Sequence, residues 1–231
     1  MHLFYQEQLP EIKYLDQDES KHCVKVLRMQ AGDEINIIDG KGTFYKATIT
    51  EAHPKKCQFE IIETSAERTP SFHRHLAIAP TKNMDKMEWL VEKATEMGID
   101  EISFFQSFHS ERKVIKIERL EKKVVSAMKQ SLKARKPILN EILPLGKILK
   151  NIKAENKLIA YVDFENKIHM KNELSDEQDT LILIGPEGDF THEEVNNAID
   201  HGFKKVSLGN SRLRTETAAL AAVHLMNLAM D

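Results

Sequence analysis

Apolar residues along this chain recur with two different periods. Up to about residue 70 they alternate with polar ones over short runs. Asp33–Asp39 reads as a strand, Phe44–Thr50 as a second, and Gly40-Lys-Gly42 between them as a turn, which together predict a hairpin. Gln58–Glu63 reads as a third strand, and Ser20–Arg28 as a short helix with Cys23, Val24 and Leu27 turned inward. Short strands with one helix predict a small barrel-like domain over residues 1–70, and Glu67–Ser71 reads as a linker.

From His75 the period lengthens. Leu76–Ala79 is a short apolar strand, and Met87, Leu90, Val91, Ala94 and Met97 then recur at helical spacing, with Asn83 to cap the helix and Gly98 to end it. Strand Glu101–Phe105, a basic helix around Glu118–Lys133, and strands Lys157–Val162 and Thr180–Ile184 follow. Thr191 and Glu194 form a capping box for a helix with Val195, Ala198 and Ile199 inward, stopped at Gly202. Strand Lys205–Leu208 and helix Thr215–Met230 complete a second domain over residues 71–231, an α/β domain with a mainly parallel sheet. From Ala218 onward the last helix carries no Asp, Glu, Lys or Arg. Such a helix needs cover on every side, from its own domain or from a second copy of the chain in a homodimer.

Composition narrows the partners. The 231 residues suffice for a real core. No basic region followed by an apolar stretch opens the chain, and its longest apolar run is too short to span a bilayer, so a cytoplasmic location without membrane contact is expected. Two cysteines, Cys23 and Cys57, fit free thiols in a reducing compartment. Neither has the spacing of a metal ligand, and no metal is expected. Net charge is −3, yet between Arg112 and Lys136 ten Lys and Arg stand against Glu118 and Glu121 alone. That excess is either a phosphate-tracking surface or a solvated helix face.

Three loops follow predicted strand ends, where ligands bind in open α/β sheets. They are Gly185-Pro-Glu-Gly-Asp-Phe190, Leu208-Gly-Asn-Ser-Arg-Leu-Arg-Thr-Glu-Thr217, and the end of the strand at Asp163. Neither Gly-x-x-x-x-Gly-Lys nor Gly-x-Gly-x-x-Gly occurs, and Glu187 and Asp189 would repel phosphate. A nucleoside held by backbone groups suits these loops better, and S-adenosyl-L-methionine, with its positive sulfonium, is such a ligand. Taken alone, Gly-Pro-Glu-Gly is also an ordinary tight turn.

Ile184-Gly-Pro-Glu-Gly-Asp-Phe-Thr191 followed by Leu208-Gly and Leu213-Arg-Thr-Glu-Thr-Ala218 resembles the ribosomal RNA small-subunit methyltransferase E family of the SPOUT superfamily. The resemblance extends to His22…Val26-Leu-Arg28…Gly32, Lys93-Ala-Thr-Glu-Met-Gly98, Ser110-Glu-Arg112 and Gln130-Ser131…Pro137, nearly the whole chain. Asp189 stands where the family often has a second glycine, Lys129 where it has glutamate, and Asn210-Ser-Arg-Leu213 where Pro-Arg-Ile-Leu is usual. The resemblance implies a PUA-like RNA-binding domain followed by a SPOUT domain with a C-terminal trefoil knot. A knot is something pattern rules alone would reject. It implies a homodimer that methylates N3 of one uridine in small-subunit (16S) ribosomal RNA, free or in the 30S subunit.

On that footing Leu183, Gly185, Glu187, Gly188, Leu208, Gly209, Leu213, Thr215, Thr217 and Ala218 are expected to bind the cofactor. Uridine N3 is a poor nucleophile until its imide proton leaves, so a base or a nearby cation is needed. Arg214 is the expected cation, and Glu216 either the base or the group that orients Arg214. His22, Arg28, Arg112 and Arg135 are the expected RNA contacts, since arginine forks match phosphates. The alternatives are another SPOUT enzyme acting on a ribose or a different base, a ribosome assembly protein that binds RNA without catalysis, and, more remotely, a nucleotide-dependent oxidoreductase.

Overall fold

A computed structural model of the chain describes residues 2–68, 71–162, 168–175 and 178–229. Two compact units emerge, Met1–Thr69 with Val125–Lys136, and Pro70–Val124 with Pro137–Asp231.

The first unit is built on a four-stranded sheet. β1 (Leu3–Tyr5) pairs parallel with β2 (Glu34–Ile38), which pairs antiparallel with β3 (Thr43–Glu51), itself antiparallel to β4 (Gln58–Ala66). The predicted hairpin is present, and Asp39 Oδ1 closes its turn by accepting from the backbone of Lys41 at 2.7 Å and Thr43 at 3.0 Å. Ile35, Ile37, Ala47, Ile49 and Phe59 fill the inner face with Phe4, Leu15 and the free thiols Cys23 and Cys57. The helix starts earlier than the apolar spacing indicates. Asp16 caps α1 (Gln17–Lys21) by accepting from Glu19 N at 2.8 Å, and a wider π-type turn continues over His22–Val26. Residues 125–136 join this unit through backbone pairing, Gly42 N to Ala134 O at 3.1 Å and Lys136 N to Gly40 O at 2.8 Å, and through a Lys129–Glu19 ion pair.

The second unit is a six-stranded, wholly parallel sheet in the order β10-β8-β9-β5-β6-β7. Its strands are β5 (Arg74–Ile78), β6 (Glu101–Gln106), β7 (Ile138–Pro144), β8 (Asn156–Ala160), β9 (Thr180–Ile184) and β10 (Lys204–Val206). All five residues of β5 and of β9 are buried, as strands covered on both faces require. Around them lie α2 (Met84–Met97), α4 (Leu145–Asn151), α5 (His192–Asp200) and α6 (Thr215–Leu228), while α3 (Ile117–Ser131) begins in this unit and ends in the first. Asn83 caps α2 and Gly98 ends it in the left-handed conformation, both as expected. The capping box of Thr191 and Glu194 is formed in full. Met97, part of the helical repeat, and Ile199, read as inward, are 37% and 42% exposed, because each lies at the last turn of its helix, beyond the buried stripe. No helix of the described residues is long and apolar enough to cross a membrane.

A buried ion pair anchors the amino end of this sheet. Arg74 donates to Asp100 from its backbone N at 2.9 Å, from Nε at 2.7 Å and from Nη2 at 3.0 Å, while Nη1 reaches Asn227 of α6 at 2.6 Å. Removing the carboxylate leaves a guanidinium buried and short of its counter-charge, which costs several kcal/mol. Asp100→Ala is therefore expected to lower unfolding stability by about 3 kcal/mol, read as a shifted urea midpoint at an unchanged slope.

Candidate cofactor and active site

The carboxyl ends of β8, β9 and β10 finish level, since Ala160 lies opposite both Ile184 and Val206. Three chain segments leave the sheet there and enclose one cavity of about 950 Å³. The first is Gly185–Phe190, the second Ser207–Thr215, and the third the end of β8 at Tyr161 and Val162. Asp163 lies outside the described residues.

Backbone geometry shapes the first loop. Asp189 N returns to Pro186 O at 3.0 Å, and Asp189 itself takes a positive φ of 60°. Its Oδ1 accepts from Phe190 N at 2.8 Å. Burial pushes the Asp189 carboxyl above its ordinary range, opposed by hydrogen bonds from the backbone of Phe190 and Val162 and by Arg212 and His109 nearby. A Cβ on Gly185 would lie 3.0 Å from the Phe190 ring, so the loop backbone rests directly on that ring. Glu187 Oε1 accepts from Lys82 N at 3.3 Å. In the second loop Ser207 Oγ accepts from Gly209 N at 3.1 Å and donates to Gly209 O at 3.0 Å, and Gly209 has a φ of +124° that side chains disfavour.

Of the residues expected to bind the cofactor, Gly185, Glu187, Leu208, Gly209, Leu213, Thr215 and Ala218 line this cavity, as does Arg214. Leu183 is fully buried inside β9. Gly188 faces away, where a Cβ would fall 2.9 Å from His109 Cβ. Thr217 is exposed on α6 off the cavity wall. Glu216 is buried behind the wall and pairs with Lys86 of α2 at 2.8 Å rather than with Arg214, which forms no ion pair among the described residues. Burial pushes the Glu216 carboxyl up, but the hydrogen bond from Lys86, a backbone hydrogen bond and the positive charges of Lys86 and Arg214 outweigh it and hold it below the usual carboxylate range.

Of the four expected RNA contacts, His22, Arg28 and Arg135 belong to the first unit and Arg112 to the second. His22 is exposed with its ring edge-on to Phe4, and Arg28 is exposed in a left-handed conformation at the end of the helical segment. Arg135 lies over Gly42, where a Cβ would meet its guanidinium at 2.6 Å. Arg112 donates from Nε to Thr81 O at 3.0 Å and to Lys82 O, holding the turn that leads into α2. Sequence reasoning missed Lys86, Tyr161, His169 and Arg212 on the cavity wall. A lysine in the first turn of an amphipathic helix carries no signal separating it from solvated neighbours.

A family model described as the RNA methyltransferase domain matches residues 67–227. The chain belongs to this RNA methyltransferase family. The family's PUA domain matches residues 15–62, within the first unit. A solved structure of a probable rRNA-methyltransferase from Porphyromonas gingivalis is 43% identical and superposes with a TM-score of 0.94, covering 100% of this chain and 98% of that one. Ribosomal RNA small subunit methyltransferase E from Neisseria gonorrhoeae, solved bound to S-adenosyl methionine, is 27% identical, with a TM-score of 0.87 over 99% and 97% of the two chains. The protein of the same name from Aquifex aeolicus is 28% identical over 98% of this chain and 99% of its own.

Two glycines of these loops are constrained differently. Gly188→Ala sets a methyl against His109 inside a packed loop, whereas Gly209→Ala meets open space and strains only its own backbone. Both are expected to destabilise, the first by about 2 kcal/mol and the second by about 1 kcal/mol, measured by urea unfolding.

Proposed function

We propose that this RNA methyltransferase binds S-adenosyl-L-methionine in the cavity between the two glycine-bearing loops and methylates N3 of a uridine in small-subunit ribosomal RNA. The observation that carries the reading is the convergence of those loops on one cavity of about 950 Å³, in a chain that aligns end to end with a relative solved with this cofactor. The lining fits the group. The volume is in the range of small-molecule sites. Glu187 and Asp189 suit a cationic ligand better than a phosphorylated one.

When bound, the cofactor supplies an activated methyl group on a sulfonium. The work of the chain is to hold the acceptor nitrogen in line with that carbon and to favour its deprotonated form. Arg214, at the cavity wall and without an ion pair among the described residues, is suited to stabilise the uracil oxygens. Glu216, expected as the base or as the group that orients Arg214, has Lys86 as its ion-pair partner instead. A carboxylate paired with lysine and held below its usual range is a weak base.

The RNA is held by phosphate contacts from the N-terminal PUA unit, with Arg28, Arg135 and His22, and from the basic segment with Arg112. Arg112 and the Gln130-Ser131…Pro137 block of the resemblance fall in the same charged stretch. A homodimer would cover the half-buried Leu220, Ala221 and Leu225 and the 52% exposed Leu228 of α6.

Labelled S-adenosylmethionine incubated with small ribosomal subunits from cells lacking the gene should transfer its methyl to RNA. Nucleoside mass spectrometry should place the label on N3-methyluridine; label on a ribose or on another base overturns the assignment. Gly185→Val drives a branched side chain into the Phe190 ring and is expected to weaken cofactor binding about 100-fold by calorimetry. Arg214→Ala should bind cofactor normally yet lose about 100-fold or more in methyl transfer.

A further inference from the structure

Lys86 reaches the cavity wall from the first turn of α2, an element the two loops do not include. Its Nζ lies 2.8 Å from Glu216 Oε1, and the lysine side chain is 32% exposed where the glutamate's is 11%. The second carboxylate oxygen, Glu216 Oε2, is buried and accepts no hydrogen bond. As a device for joining two helices this pair is poor. An ionised group with an unsatisfied buried oxygen costs stability that an apolar contact would not. Its geometry fits another task, a fixed carboxylate that holds a cation at the cavity wall. Arg214 stands two residues before Glu216, also on the wall. One buried anion thus sits behind two cavity-facing cations.

We propose that Lys86 is a catalytic residue, whose ammonium stabilises the uracil anion, and that Glu216 is its positioning residue. The inference rests on the proposed transfer to uridine N3. In that step the imide proton leaves to solvent and the N3 lone pair forms the new N–C bond. The C–S bond breaks and its electron pair stays on sulfur. N3-methyluridine, the neutral thioether and one proton result. Charge on the deprotonated imide is shared by N3 and the two carbonyl oxygens that flank it. Two cations, Lys86 and Arg214, match those two oxygens. Among the described residues, the other charged or titratable groups on the cavity wall are Tyr161, His169, Glu187, Asp189 and Arg212.

The test is the pH profile of single-turnover methyl transfer to small ribosomal subunits by Lys86→Met, Lys86→Arg and Glu216→Gln. It is paired with calorimetry of S-adenosylmethionine binding. A further measurement counts the protons released when cofactor-free enzyme binds the subunits, from calorimetry in two buffers. A cation near the imide favours its ionised form, so Lys86→Met should move the apparent pKa of the profile upward by about one to three units. The same variant should lower the rate at neutral pH about 100-fold and reduce proton release on RNA binding. Cofactor affinity should stay within about threefold of wild type. Lys86→Arg keeps the charge and should restore part of the rate. Glu216→Gln keeps the shape while freeing the lysine, and should shift the profile in the same direction by less. A profile that does not move in either Lys86→Met or Glu216→Gln overturns the proposal, as does a rate loss in Lys86→Met that follows cofactor affinity alone. Glu216→Gln decides the matter by itself if Lys86→Met does not fold. Wild-type enzyme that methylates a ribose instead would sink the N3 reading on separate grounds, because no imide proton would then be at stake.

Discussion

The parallel pairing of β8 with both β9 and β10 is the constraint on which the site depends. Each strand is only three to five residues long, yet the registers bring Ala160, Ile184 and Val206 to one level. Three loops therefore start from adjacent points about one strand spacing apart. Hydrogen bonds continue the pattern just past the strand ends, from Ala79 N to Ile184 O at 3.0 Å and from Tyr161 N to Val206 O at 3.2 Å. Loops rooted in this way can wander little at their bases. That matters for a reaction in which most of the catalytic advantage comes from alignment.

The distribution of charge around the cavity follows the same economy of position. Carboxylates on the first loop are engaged by backbone donors, Glu187 by Lys82 and Asp189 by Phe190. Cations arrive from other elements, Lys86 from α2 and Arg214 from the start of α6. Glu216, in the first turn of α6, also sits where the helix dipole favours a negative charge. Its depressed titration and its ion pair come from one arrangement, so it serves better as a fixed anion than as a proton acceptor.

Much of this was legible in the chain because local chemistry decides it. Thr191 and Glu194, or Asn83 and Gly98, define helix ends through contacts within one turn, and the glycine loops follow strands whose apolar runs are unambiguous. What was illegible depends on partners far away in sequence. β1 has three residues and forms only by pairing with β2 some thirty positions on. β7 lies at the sheet edge with no fully buried residue, so it shows no inward face to read. The grouping of residues 125–136 with the first unit rests on pairing with Gly40 and Gly42, which no periodicity records. Lys86 belongs to this class as well. Its meaning comes from Glu216, far away in sequence, while its own surroundings look like any solvated helix turn.

The first loop shows how a family pattern can change at one position without changing its shape. Asp189 occupies a left-handed backbone conformation that a glycine would take freely, at a cost of about 1 kcal/mol for a residue with a Cβ. Its own carboxylate offsets that cost by accepting from Phe190 N at 2.8 Å. Gly185 and Gly188, by contrast, meet the Phe190 ring and His109, where added atoms have no room. Steric limits therefore fix those two glycines, whereas position 189 needs only a backbone conformation, and an aspartate can supply the hydrogen bonds that sustain it. The aspartate also adds a carboxylate to the cavity wall, where a glycine would present none.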